Sequence, residues 1–201
     1  MGDGAEVSLP TLVRTSETHP IDVYWVPGEA HAQAGRLGLT FAPGKCGRGL
    51  VTAADWERDL RVDLDRLRDH HGADVLVSLM EQHEYDLLQI PTLFAEATAR
   101  GIDVDHLPIE DVRVPRPDQR DAVAALVARI RYRLAAGHRV VVHCRGGIGR
   151  SGLIASIVVG SYGHSAARAI AIVRTAQPSA VETHAQERYV AEALAAWSAG
   201  A

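Results

Sequence analysis

The 201-residue sequence predicts an α/β fold. The expected form is a single domain with a central, mostly parallel sheet of about four to five strands flanked by helices. Three observations predict it. Short apolar runs alternate with longer amphipathic segments through most of the chain, and parallel strands need such helical crossovers. The runs "ADVLVSLM" and "RVVVH" hold consecutive apolar residues at their centres instead of strict alternation, as strands covered on both faces do. Helical patterns then collect at the C-terminal end.

The elements follow in order. Residues 1–20 are polar and punctuated by proline, which predicts a loose leader ahead of one domain over 21–201. "IDVYWV" (21–26) and "RLGLTFAP" (36–43) read as short strands joined by a Gly/Pro loop. A helix is predicted over 52–72, with Thr52 and Asp55 as a capping pair and Trp56, Leu60, Leu64 and Leu67 recurring at helical spacing. A buried strand at 73–80 follows, then a helix between Pro91 and Gly101. "IDVDHLPI" (102–109) is the next strand. Residues 117–137 place Val123, Leu126, Val127, Ile130 and Leu134 on one helical face. "RVVVH" (139–143) ends at a glycine-rich turn. An apolar helix runs from about Gly149 to Tyr162, and two more helices fall near 165–176 and 183–197.

Composition narrows the function classes. The net charge of −4 gives no general argument for nucleic-acid binding. The longest apolar run, "GLIASIVVG", is far short of the ~20 residues that span a bilayer. Two cysteines do not make a disulfide framework, so a cytoplasmic setting and a monomer are expected, without nucleic acid or membrane as partner. Ten histidines are present, but His70 and His71 are adjacent and cannot share a helical face. His83, His106 and His164 show no ligand spacing, and neither metal nor cofactor is expected.

The stretch "VVHCRGGIGRSG" (141–152) carries the chemistry. In parallel sheets, ligands bind at the carboxyl ends of strands, where Cys144 falls. Gly146, Gly147 and Gly149 allow positive φ and close approach, so successive N–H groups from Arg145 to Arg150, Ile148 included, can turn inward as an anion nest. The helix that follows adds unpaired donors and a partial positive charge. Arg150 offers a planar fork that matches two oxygens of a tetrahedral anion, phosphate or sulfate. A thiol in this setting favours the thiolate, the nucleophilic species. A nucleophile at the floor of an oxyanion cradle points to in-line attack on phosphorus. The leaving oxygen then needs a proton, and "PIEDVRVPRPD" offers Glu110, Asp111 and Asp118 on a loop after a strand.

"HCRGGIGRS" fits the His-Cys, five residues, Arg, Ser/Thr signature, and on it the chain resembles the cysteine-dependent protein tyrosine phosphatase superfamily. "LGLTFAPGK", "LPIEDVRVPRPD" and "ETHAQERYV" resemble the cyclin-dependent kinase-associated branch of its dual-specificity group, over roughly residues 35 to 195. The resemblance implies a phosphatase acting on phosphotyrosine, with phosphoserine and phosphothreonine as further substrates of the group, in proteins or peptides through a phosphocysteine. It implies Asp111 as the acid, Ser151 as a hydroxyl bonded to the cysteine sulfur, and His143 as a support of the loop backbone. The tail of this branch carries two glutamines four residues apart that orient the hydrolytic water. Here the first position is Glu182, read as a helix start, and only Gln186 matches. Cys46 reads as a loop cysteine; the superfamily also offers it a disulfide with an oxidised Cys144. Two other readings stay open. One is the same fold acting on a phosphoinositide, a nucleotide or an RNA 5′-phosphate. The other is a rhodanese-type sulfurtransferase, which "CRGGIG" matches in part but which leaves Asp111 and Arg150 idle.

Overall fold

The computed structural model describes residues 12–31, 33–48 and 54–199. The strands are β1 (Leu12–Thr15), β2 (Tyr24–Trp25), β3 (Arg36–Phe41), β4 (Cys46–Gly47), β5 (Ala54–Glu57), β6 (Val75–Ser78), β7 (Asp103–His106) and β8 (Arg139–Cys144). The helices are α1 (Leu60–Asp69), α2 (Gln82–Leu87), α3 (Leu93–Ala99), α4 (Arg120–Ala135), α5 (Gly149–Gly160), α6 (Ala166–Ala176) and α7 (His184–Ala199). Among the described residues no helix is long and apolar enough to cross a membrane.

The central sheet has five strands in the order β2-β3-β8-β6-β7. All its neighbours are parallel except the edge pair β2 and β3. β8 lies in the middle, and its apolar run is explained by burial on both sides. Val140 and Val142 face one core with α4 and α5, while Val141 faces the other with Leu64, Leu67 and Leu93. All twelve residues of α5 are buried, and its hydrophobic character is therefore not confined to one stripe. Gly152 allows the close approach this needs, because a Cβ there would lie 2.6 Å from the Val181 nitrogen. Side-by-side pairing brings Phe41 level with Cys144 and Ser78 level with His143, so three strand ends converge on one edge.

The structure corrects the sequence reading at three places. Residues 54–57 are β5, not the first turn of a helix. Trp56 leaves the helical pattern because it pairs with β4 and packs its ring 5.5 Å from that of Phe41. The N-cap of α1 is Asp59, whose carboxylate accepts from the Arg61 and Val62 amides at 2.8 and 3.1 Å. Asp55 is thus a strand residue, and Thr52 lies outside the described residues. Second, part of the expected leader is ordered: β1 pairs in parallel with β5, giving a second sheet in the order β1-β5-β4. The Ser16 hydroxyl joins it to the Asp59 main chain, accepting from its amide at 3.0 Å and donating to its carbonyl at 3.2 Å. Residues 1–11 lie outside the described residues. Third, α2 was not foreseen. Its six residues carry no repeat long enough to register as a period.

Candidate active site

The chain from β8 to α5 folds as a tight loop around the Cys144 sulfur. The Gly147 amide donates to Sγ at 3.3 Å, and the Ser151 hydroxyl lies 3.5 Å from it. Gly147 has φ +74, and a Cβ there would meet the Thr40 and Phe41 backbone at 2.6 Å, so only glycine fits. On the outer side, the Arg145 carbonyl accepts from the Ala42 amide at 3.4 Å. A trans peptide points its next N–H the opposite way, so the Gly146 amide turns away from that bond.

Cys144 is 3 % exposed and forms part of a cavity of about 500 Å³. Arg145, Gly146 and Ile148 line it from the loop, and Asp111 and Glu182 from opposite segments. Cys46 and Trp56 of the second sheet, with Lys45 just ahead of β4, complete one wall. Of the three candidate acids, only Asp111 reaches this cavity. Glu110 lies 3.5 Å from Arg113, and Asp118 pairs with Arg116 at 3.2 Å on the surface.

Arg150 is 1 % exposed and does not line the cavity surface. Glu84 grips it from below: Nη1 donates to one carboxylate oxygen at 2.6 Å and Nη2 to the other at 2.8 Å. Nη1 also donates to the Ile109 carbonyl at 2.9 Å, and Nη2 lies 2.7 Å from an oxygen of Asp111. Burial disfavours the charge, but the bonds and charge of Glu84 raise the Arg150 pKa above that of free arginine. Nε alone is buried without a partner. The fork thus keeps one donor unused, while a second nitrogen is shared with the acid candidate.

Sequence reasoning missed Glu84. It sits in the first turn of α2, where the same carboxylate also accepts from the Glu81 amide at 2.8 Å. The only local signal is a glutamate three residues after a possible N-cap, which does not reveal a partner 66 positions away.

His143 is fully buried at the end of β8. Burial pushes it down to about 3, Arg150 acts in the same direction, and the ring is neutral. Neither ring nitrogen has a hydrogen-bond partner of regular geometry, but the Cys144 main chain lies close enough to favour the charged ring and oppose the shift. Gln186 is also buried, and its amide is bonded at both ends, with one N–H of the nitrogen left over. Its oxygen accepts from the Glu182 amide at 3.0 Å, and its nitrogen donates to the Arg113 carbonyl at 3.2 Å. Gln186 ties the segment after Asp111 to the turn before α7 and is not part of the cavity lining. Glu182 takes the place at the cavity instead, ahead of α7 and against Gly149. Partial burial, then the charge of Asp111, raises its carboxyl pKa. Among the described residues no group of three His, Cys, Asp or Glu is placed to hold a metal.

A strand-end cysteine in a glycine-shaped anion loop, with an arginine and an aspartate converging on it, on this sheet, defines the dual-specificity class of cysteine-dependent phosphatases. The model of the family described as "Polymorphic toxin system, DSP-PTPase phosphatase" matches residues 55–163, more than half of the chain. The chain belongs to that family. It is 27 % identical to cyclin-dependent kinase inhibitor 3 of Sus scrofa over 143 residues, 71 % of this chain and 63 % of that protein. It is 35 % identical to the uncharacterized protein MJECL20 of Methanocaldococcus jannaschii over 108 residues, 53 % of this chain and 62 % of that one. The chain thus spans less than two thirds of the length of these relatives. The fold is similar to that of kinase-associated phosphatase carrying serine for its catalytic-site cysteine, with a TM-score of 0.78 and 23 % identity. That match covers 89 % of this chain and 97 % of the other.

Proposed function

We propose that the chain hydrolyses phosphotyrosine in proteins or peptides through a covalent phosphocysteine at Cys144. The observation that carries this reading is the Cys144 sulfur, which receives the Gly147 amide at the floor of a cavity that Asp111 also lines. The Cys144 thiolate attacks phosphorus as the bond to the leaving oxygen breaks. Asp111, protonated, gives that oxygen its proton. Water then attacks the phosphocysteine, its proton passes to the Asp111 carboxylate, and the S–P bond breaks to return the thiolate and free phosphate. Loop amides hold the equatorial oxygens in both steps. Arg150 adds Nε and, once Asp111 turns to the leaving group, Nη2. Ser151 bonds the departing sulfur.

Trp56, Leu87, Val112 and Ile148 give the cavity apolar walls, which suit an aromatic ring behind the phosphate. This favours phosphotyrosine over a phosphoinositide, a nucleotide or an RNA 5′-phosphate. The deciding assay measures phosphate release from phosphotyrosine peptides, phosphothreonine peptides and soluble inositol phosphates, with thiosulfate-to-cyanide transfer alongside. Phosphotyrosine peptides should be the best substrates, and Cys144→Ser should abolish turnover while retaining phosphate binding. Full activity in Cys144→Ser would end the covalent mechanism, and sulfur transfer alone would end the phosphatase reading.

A further inference from the structure

The cavity contains a cation that makes no ion pair among the described residues. Lys45 is the sole lysine of the sequence, is 9 % exposed, and lines the cavity together with Cys144. Its ammonium lies 4.4 Å from the centre of the Phe41 ring and 4.0 Å from that of Trp56. One long contact, 3.5 Å, reaches the Arg145 carbonyl. Among the described residues it makes no ion pair; the cavity carboxylate Asp111 is taken by Arg150 and Arg145.

Its charged surroundings are mostly hostile. Arg58 behind it, Arg145 on the loop and Arg14 on β1 all repel it, and only the charge of an ionised Cys144 attracts it. Burial, then Arg58, lowers its pKa to about 8. Cys46, Arg48 and Glu182 complete the titratable and charged groups around the same cavity. Two aromatic faces recover part of the desolvation cost. A methionine would fill the same space without that cost. A buried, unpaired ammonium at the edge of an oxyanion cradle therefore needs an anion to balance it.

We propose that Lys45 is an anion-binding residue of this cavity, its ammonium placed to take the charge of a bound tetrahedral oxyanion and of the Cys144 thiolate. The oxyanion would be the phosphoryl group of the substrate, and this identification rests on the phosphatase reading above. The site is thus more than the loop, Arg150 and Asp111. Lys45 immediately precedes β4, and β5 supplies Trp56, half of its aromatic cage, so the second sheet is part of the binding apparatus.

Sulfate binding, measured by calorimetry, tests this without turnover, because sulfate keeps one charge state across the neutral range. Lys45→Met should weaken sulfate binding about tenfold at pH 6.5, the loss of one charge-assisted contact. Wild-type affinity should decline between pH 7 and pH 9 as the ammonium loses its proton, and the decline should flatten in Lys45→Met. Other groups of the cavity titrate in both proteins, so the difference reports Lys45. The melting temperature of Lys45→Met should equal or exceed that of wild type, and Lys45→Arg should restore part of the affinity. If Lys45→Met does not fold, Lys45→Gln carries the same comparison. Unchanged sulfate affinity with a lowered melting temperature would overturn the proposal and leave Lys45 as packing. A wild-type protein that binds neither sulfate nor phosphate would overturn it as well. Lost sulfate binding in Lys45→Met, with no phosphate released by wild type from any phosphomonoester, would sustain Lys45 and sink the phosphatase reading. Normal turnover with unchanged sulfate binding would do the reverse.

Discussion

Glu84→Gln perturbs the contact on which the position of Arg150 depends. Glu84 is 2 % exposed and accepts three hydrogen bonds, two from Arg150 and one from the Glu81 amide. A glutamine oxygen can keep the two that meet at Oε2. Its NH₂ then faces Arg150 Nη2, donor against donor, and the charge of Arg150 loses its buried counterion. Removing one partner of a buried pair costs about 3–5 kcal/mol. For a chain of this size each kcal/mol is worth roughly 2–4 °C, so Tm should fall by about 6–20 °C at pH 7. The pH dependence follows from the direction of the Glu84 shift. Burial pushes its carboxyl up, but the bonds and charge of Arg150 outweigh this and leave it below the ordinary value of 4.5. A group depressed in the folded state stabilises above its unfolded pKa, and that stability is lost as pH falls through the folded value. The gap in Tm between wild type and Glu84→Gln should therefore be full at pH 7 and close on acidification below about 4.5. Thermal unfolding followed by circular dichroism across that range measures it. Equal melting temperatures at pH 7, or a gap that does not narrow in acid, would refute the account of Glu84 as the clamp of Arg150.

Four further outcomes are expected. Gly147→Ala should destabilise the fold by about 2 kcal/mol or more and silence the site, because its Cβ would meet backbone that cannot yield. Gly146→Ala should fold normally, its nearest neighbour being the Ile148 side chain at 3.4 Å; denaturant titration of the two variants checks the contrast. Asp111→Asn should slow alkyl phosphates by about 10²–10⁴ and an activated aryl phosphate far less, and steady-state rates across a leaving-group series would expose a uniform loss instead. Gln186→Ala should cost about 1–3 kcal/mol in thermal unfolding, because it strands the Glu182 amide and the Arg113 carbonyl. An unchanged melting temperature with slowed phosphoenzyme hydrolysis would return Gln186 to the role of orienting water.

Much of this was legible in the sequence because it is local. The unbroken apolar run of β8, the glycines that follow it and the buried helix after them are consecutive in the chain, and each constrains the next through backbone conformation. The order of strands and helices is likewise a matter of period, and period survives folding. Other features depend on contacts between distant segments. Trp56 repeats at helical spacing with Leu60, yet pairing of β5 with β1 and β4 takes it into a strand. Glu84 and Arg150 are far apart in the chain and meet because β6 and β8 end side by side, one before α2 and the other before the loop. Gln186 matched a family pattern, and only the structure shows that it also ties Glu182 to Arg113. Lys45 closes the stretch "LGLTFAPGK" and is the sole lysine, but the sequence assigned it no role. Its place beside Cys144 is set by a second sheet whose strands carry too few residues to reveal themselves, and the cost of its burial exists only once that sheet has closed the cavity wall.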